Sequence, residues 1–225
     1  MAKFTFAGSE KDFDLHIKTS IRGYNDLSRD VLSFSRYFVE NHTNVVDLGC
    51  STGKLLKAMI TQNQSHIPKA RYIGVERESD FFTAYEQDMK DHKQLTYFQG
   101  DIRDYHFENC SFITAIFTLQ FMPRKDRALL LERIYHGLNH GGAFIYSEKV
   151  LSSHPRIQNM MTFMYYDYKR EQFSDTQILD KEVQLRHMMK SNTSMELRQM
   201  CSQVGFKVYS FWQNFNFVAF IALKE

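Results

Sequence analysis

Val45-Val46-Asp47-Leu48-Gly49-Cys50-Ser51-Thr52-Gly53-Lys54 reads as a buried strand running into a tight glycine turn, with a helix starting behind it. The β-branched pair Val45 and Val46 favours extended backbone. Gly49 and Gly53 bracket a turn in which a side chain would collide with a ligand or with the chain itself. A helix starting near Thr52 aims unpaired backbone N–H groups back at that turn. The next apolar run, Ala70-Arg71-Tyr72-Ile73-Gly74-Val75-Glu76, reads as a second strand ending in a carboxylate. An acid at that place accepts hydrogen bonds from both hydroxyls of a ribose. The chain reads as built to hold a nucleoside.

Outward from this unit the alternation of strand and helix continues. Strands are expected at 44–48, 72–76, 95–99, 112–119 and 143–147, and helices at 25–40, 54–62, 80–92 and 125–138. The run 112–119 is apolar throughout, the pattern of a strand buried on both faces. Residues 1–19 read as an irregular lead-in, and 139–142 as a glycine turn. Such alternation makes a parallel, doubly wound sheet with right-handed crossovers. It breaks between 155 and 204, where helices at 156–169, 175–190 and 194–204 form a polar cap expected over the carboxyl ends of the strands. The last two strands, 207–212 and 215–223, are joined by Gln213-Asn214 and read as an antiparallel hairpin. A seven-stranded, mostly parallel α/β sheet with an antiparallel final strand and a helical insert resembles the class I methyltransferase (Rossmann-like) fold, here as one domain over 1–225.

The bulk properties narrow the function. The 225 residues are 43% hydrophobic, enough for a sizeable core, and the net charge of +2 gives no argument for direct nucleic-acid binding. Cys50, Cys110 and Cys201 are far apart and have no C-x-x-C spacing, so they read as reduced thiols of a cytoplasmic protein with no metal site. No apolar segment has the length of a bilayer span or the form of a secretory signal.

Gly49-Cys50-Ser51-Thr52-Gly53 fits two templates: the methyltransferase loop around the methionine part of S-adenosylmethionine, and the G-x-S-x-G nucleophile elbow. The elbow normally follows several strands; this loop follows the first and is paired with Glu76, which favours the cofactor loop. Asp101 after the third strand is placed to accept from an adenine amine, with Ile102 against the ring, or else to cap a turn. Asp47 either reaches the amino acid end of the cofactor or caps its own turn. Tyr165, Tyr166, Asp167, Tyr168, Lys169 and Arg170 cluster in the cap. Helical spacing puts Tyr165 and Tyr168 on one face and Tyr166 and Arg170 on another, so they do not all line one pocket. The histidines read as solvated or capping residues, and the methionines at 59, 89, 160, 161, 164, 188, 189 and 200 as core filler.

The chain is similar to the carboxy-S-adenosylmethionine synthases, bacterial enzymes that make a carboxylated cofactor for wobble-uridine modification in tRNA. The likeness runs from about Phe13 to Leu223. It rests on Ser20-Ile21-Arg22-Gly23-Tyr24, DLGCSTG at 47–53, GDIRD at 100–104, ENCS at 108–111, FTLQFMP at 117–123, RIYHGLNHGGAFIYSEK at 133–149, DYKR at 167–170 and FWQNFNFVAFIALK at 211–224. The resemblance implies that Tyr24, Gly49, Cys50, Ser51, Glu76, Arg77, Asp101 and Ile102 hold S-adenosylmethionine, or S-adenosylhomocysteine as product, and that the protein is a homodimer. Two positions depart from the family pattern. Ile116 stands where the family has Asn, and Glu182, beside Lys181, aligns with the Arg that binds the transferred carboxylate. At an effective dielectric of about 20, a charge contact at about 4 Å is worth roughly 4 kcal/mol before desolvation. The reversal therefore weighs against carboxylate recognition unless Arg186, one helical turn on, substitutes.

The expectation is a cytoplasmic S-adenosylmethionine-dependent transferase acting on a small molecule, in a pocket that includes Tyr165, Tyr168, Glu182 and Arg186. No general base stands out. The rival readings are a carboxy-cofactor synthase using prephenate, an enzyme for which the cofactor is itself the substrate, and a cofactor-binding regulatory module.

Overall fold

The computed structural model describes residues 13–225, apart from the side chains at positions 83 and 84. Seven strands form one sheet in the order β3-β2-β1-β4-β5-β7-β6. They are β1 Asn44–Leu48, β2 Arg71–Glu76, β3 Leu95–Gln99, β4 Cys110–Ile116, β5 Leu138–Lys149, β6 Lys207–Asn214 and β7 Phe217–Leu223. β1 through β5 pair in parallel, and β7 runs antiparallel to both β5 and β6. The helices are α1 Phe13–Ser20, α2 Tyr24–Phe38, α3 Lys54–Asn63, α4 Phe82–Asp91, α5 Arg124–Gly137, α6 Pro155–Arg170, α7 Asp175–Arg186 and α8 Ser194–Gln203.

Successive strand residues serve opposite cores. Val45, Phe112, Ile145 and Ile221 pack with Leu27 and Val31 of α2, Leu56 and Ile60 of α3 and Tyr85 of α4. Their neighbours Val46, Ile113, Phe144 and Phe220 pack on the other face with Leu130 and Ile134 of α5 and Leu197 and Cys201 of α8. Side chains alternate across a strand, so a strand covered on both faces is apolar at every position. Each such side chain contributes about 1.5–3 kcal/mol when fully buried. The connections from β1 and β4 leave toward opposite faces, because β2 lies on one side of β1 and β4 on the other. A crevice opens at their carboxyl ends, the place where open sheets of this kind bind ligands.

Several elements differ from the sequence-based expectation. The segment read as an irregular lead-in is helical over Phe13–Ser20; residues 1–12 lie outside the described part. β4 stops at Ile116 because Phe117 turns into the left-handed region at φ 56°, and Leu119–Phe121 form a single 3-10 turn. The final hairpin turns at Phe215-Asn216, with Phe215 at φ 49°, so β6 runs two residues longer than expected. The expected three-helix cap is divided. α6 and α7 pack on each other, whereas α8 packs against α5, β6 and β7 and belongs to the sheet layer. Capping boxes of Ser174 with Gln177 and Thr193 with Glu196 fix the starts of α7 and α8. The methionines are only partly core filler: Met59 is fully buried, but Met89, Met160 and Met164 are exposed.

Candidate functional site

The crevice holds a cavity of about 290 Å³. Its walls come from α1, the glycine loop, the loops after β2, β3 and β4, and the inner sides of α6 and α7. Tyr24, Asp47, Gly49, Cys50, Ser51, Glu76, Arg77, Asp101, Ile102 and Ile116 all line it.

The glycine loop is a closed hydrogen-bonded unit. Gly49, Ser51 and Gly53 have φ of 71°, 45° and 68°. The Gly49 and Cys50 N–H groups both donate to the Val75 carbonyl, at 2.8 and 3.2 Å, and the Gly53 N–H donates to Cys50 O at 2.9 Å. The Ser51 N–H donates to Glu76 Oε2 at 3.0 Å. These loop N–H groups are satisfied by the chain itself. Gly49 has a related cause: a Cβ there would lie 2.6 Å from Thr118 Oγ1, which itself donates to Leu48 O at 2.8 Å. The glycine makes room for Thr118 rather than for a ligand alone. Cys50 turns its thiol toward Tyr85, 3.4 Å from the hydroxyl, and burial pushes the thiol well up, so it stays protonated. Tyr85 donates to Ser51 O and stacks on Tyr97 with ring centroids 3.6 Å apart, a rigid floor under the loop.

Glu76 is the hub of the opposite wall. Besides Ser51 N–H on Oε2, its Oε1 accepts from the backbone N–H of Arg77 at 2.8 Å and of Glu78 at 3.0 Å. Two carboxylate oxygens offer about four lone-pair sites, so capacity remains for a ribose hydroxyl. Arg77 pairs with Glu78 at 2.9 Å. Asp101 accepts from Arg103, whose guanidinium hydrogen bonds hold its carboxyl below the usual range, and Arg103 also pairs with Asp126. Asp47 is fully buried; Thr114 Oγ1 donates to it at 2.6 Å, but desolvation outweighs that bond and pushes its pKa up to about 7, with Glu76 adding repulsion. Tyr24 is pushed up to about 12 by burial and the nearby Asp47 and Asp14.

α1 supplies a wall that was missed from sequence. Phe13, His16, Ile17, Ser20 and Ile21 line the cavity, and Asp14 ties α1 to the loop by accepting from Thr52 Oγ1 at 3.1 Å and pairing with Lys54 at 3.3 Å. The signal was the spacing of Phe13, Ile17 and Ile21, one apolar residue per four. His16 faces the cavity, and burial together with Lys181 and Lys169 lowers its pKa, so it stands neutral there rather than solvated. At the far end stand Tyr165, Lys149, Lys169 and Lys181, of which only Tyr165 was expected.

The comparisons with known proteins now bear on this cavity. The methyltransferase-domain family matches residues 45–142. A carboxy-S-adenosyl-L-methionine synthase from a Shewanella species is 35% identical, over 92% of this chain and 87% of that protein. One from Staphylococcus epidermidis is 34% identical, over 99% of this chain and 97% of its own length. The chain belongs to the carboxy-S-adenosyl-L-methionine synthase family. It is an S-adenosylmethionine-dependent transferase with the methyltransferase fold. Solved structures share that fold at low identity. Human N-acetylserotonin methyltransferase in complex with S-adenosylmethionine has a TM-score of 0.62 and 18% identity, over 96% of this chain and 56% of that one. An O-methyltransferase family protein from Burkholderia thailandensis has a TM-score of 0.64 and 10% identity, over 97% and 61%.

The cavity of this carboxy-S-adenosylmethionine synthase relative suits the cofactor chemically. Asp47 and Glu76 bring carboxyl groups to its wall, and Ile102, Ile116, Phe121 and Met122 bring apolar surface. The positions that depart from the family pattern fall differently from expectation. Ile116 lines the cavity. Glu182 and Arg186 do not: they line a neighbouring pocket, where Glu182 pairs with Lys149 at 3.3 Å. Adjacent helical residues are about 100° apart, so Lys181 and Leu185 face the cavity while Glu182 and Arg186, on the same spacing, face the neighbour. Tyr168 also lies outside the cavity lining; its hydroxyl donates to Lys18 O at 3.2 Å.

Two outcomes follow for this site. Glu76→Ala should weaken S-adenosylmethionine binding by about 1.5–3 kcal/mol, measured by calorimetry, because it removes a charged acceptor and the brace on Ser51; an unchanged affinity would take Glu76 out of the site. Asp47 has a folded-state pKa of about 7, raised above its ordinary value. The folded chain therefore holds a proton that the unfolded chain releases, and stability falls as pH rises from about 4 to about 7. Asp47→Asn should remove that fall. Its stability advantage over the wild type in urea should grow between those pH values and level off above them, with an upper bound of roughly 4 kcal/mol.

Proposed function

We propose that this chain converts S-adenosylmethionine into its carboxylated form, taking the carboxyl group from a small carboxylic acid. The observation that carries the reading is the continuity of one cavity from the glycine loop and Glu76 to an end bearing lysine side chains. The expected charge reversal at Glu182 is softened, because Glu182 lines the neighbouring pocket and pairs at 3.3 Å with Lys149, a cation that lines both. The lysine side chains at that end then suit a carboxylate. In this reading Tyr24, Gly49, Cys50, Ser51, Glu76, Arg77, Asp101, Ile102 and Ile116 surround the cofactor. Tyr165 separates it from the second substrate. The bound cofactor supplies an activated methyl carbon next to the sulfonium. The chain's part is to place the two substrates in contact, a contribution that can supply much of a rate enhancement.

We further propose one cytoplasmic domain that works as a homodimer without direct nucleic-acid contact. Burial of the three free cysteines and the absence, among the described residues, of a helix long and apolar enough to cross a membrane are compatible with this. The face for pairing is on the cap, where Ile157, Met160, Phe163 and Met164 of α6 and Leu179 and Val183 of α7 are exposed. Exposed apolar side chains at this density on two neighbouring helices suit an interaction site.

Incubation with S-adenosylmethionine and prephenate, the donor implied by the family resemblance, should yield a product heavier than the cofactor by one carbon dioxide in mass spectrometry. Turnover of the cofactor without that product would overturn the reading. Sedimentation should show a dimer that Phe163→Glu converts to monomer; a monomeric wild type at micromolar concentration would remove the dimer.

A further inference from the structure

Arg127 of α5 is only 1% exposed. It does not line the cavity; it sits behind two segments that do. Its planar fork joins them. Nε and Nη2 donate to Met122 O at 3.2 and 2.9 Å, Nη2 donates also to Lys190 O at 2.7 Å, and Nη1 donates to Asn192 Oδ1. Met122 closes the turn after β4, which brings Gln120, Phe121 and Met122 to the cavity wall. Lys190 and Asn192 lie in the junction between α7 and α8, which brings Met188 and Met189 to the same wall. The Lys190 N–H completes the link by donating to Gln120 O at 2.8 Å. Glu148 of β5, 2% exposed, grips the turn from its other end, where the backbone N–H groups of Leu119 and Gln120 bond to its carboxyl. An acid at the N–H end and a guanidinium at the carbonyl end is the order that the peptide dipoles favour. Burial pushes Glu148 up to about 8 in spite of Arg127 and both N–H groups, so at neutral pH it is mostly protonated. Arg127 is then held largely by neutral oxygens. A cation buried on those terms is costly, and an apolar side chain of like volume often serves stability as well or better. What an apolar side chain lacks is a rigid set of donors that fixes two distant segments to each other.

We propose that Arg127 is a positioning residue for the cofactor cavity: its guanidinium sets the spacing between the turn after β4 and the junction after α7, and so the width of the chamber that both line. It touches no ligand and acts through Gln120, Phe121, Met122, Met188 and Met189. The role rests on the placement of the cofactor in this cavity and not on the carboxylation proposed above. The junction after α7 is where the cap returns to the sheet, so the same fork also anchors the cap to the turn after β4.

Two measurements test this without turnover: hydrogen–deuterium exchange of the ligand-free protein, and calorimetry with S-adenosylhomocysteine. Arg127→Lys keeps the charge and loses the fork. Exchange should quicken together at 119–122 and 187–192, with the glycine loop at 49–53 as in the wild type. S-adenosylhomocysteine affinity should fall roughly tenfold, the worth of one or two lost hydrogen bonds. Asn192→Ala cuts the fork at its other end and should move the junction and the affinity in the same direction by a smaller factor. A merely structural Arg127 would lower the unfolding temperature and leave the affinity, measured well below that temperature, as in the wild type. That result in both variants would overturn the proposal, as would quickened exchange at only one of the two segments in Arg127→Lys. Where Arg127→Lys does not fold, Asn192→Ala decides alone. The readings fail separately. No S-adenosylhomocysteine bound by the wild type would sink the cofactor site and this role with it. Fork-dependent binding without carboxylated product would sink the proposed reaction and leave Arg127 its role.

Discussion

Glu76 accepts three backbone N–H groups, from Ser51, Arg77 and Glu78, and in doing so ties the glycine loop to the end of the neighbouring strand. The loop itself is threaded through two further bonds to Val75 O and rests on the Tyr85 and Tyr97 stack. One nearly buried carboxylate thus fixes the shape of two walls before any ligand arrives. A site set in advance spends little of its binding free energy on ordering itself. The consequence is that the residue proposed to meet a ribose is also the residue that builds the loop, so the two roles cannot be separated by substitution at Glu76 alone.

Around this hub the cavity is divided by charge. Asp47, Glu76 and Asp101 lie toward the glycine loop, and Lys149, Lys169 and Lys181 toward the cap. Burial disfavours the charged form at both ends, raising the pKa of Asp47 and lowering those of Lys169 and Lys181. α1 closes the chamber between them, held by Asp14 to Thr52 and Lys54, while Tyr168 of the cap bonds back to Lys18. The first helix and the cap therefore move, if they move, as parts joined to the same loop.

The glycine loop, the acid at Glu76 and the mostly parallel seven-stranded sheet were legible because strand burial on two faces leaves an unbroken apolar run, and a turn between such runs needs glycine at positive φ. α1 was missed although Phe13, Ile17 and Ile21 keep helical spacing, because it is eight residues long and carries Asp14, His16 and Lys18 between them. The end of β4 was misread since the run continues through Phe117 and Leu119, and only the backbone reveals that Phe117 leaves the strand. Glu182 shows the sharpest limit. Alignment placed a carboxylate where a cation was expected, but which of Lys181 and Glu182 meets the cavity depends on how α7 packs on α6. A one-residue difference on a helix reverses the sign of the charge presented, and no property of the segment itself fixes that rotation.

The central claim is that the cofactor binds in the cavity at the carboxyl ends of β1, β2 and β4, under α1. Hydrogen–deuterium exchange with and without S-adenosylmethionine tests it most directly. The account requires slowed exchange over Phe13–Ser20, across the glycine loop at 49–53, and at 76–78 and 101–103, with α8 and β6 unchanged. Protection confined to α8, β6 or any surface away from that cavity would contradict it.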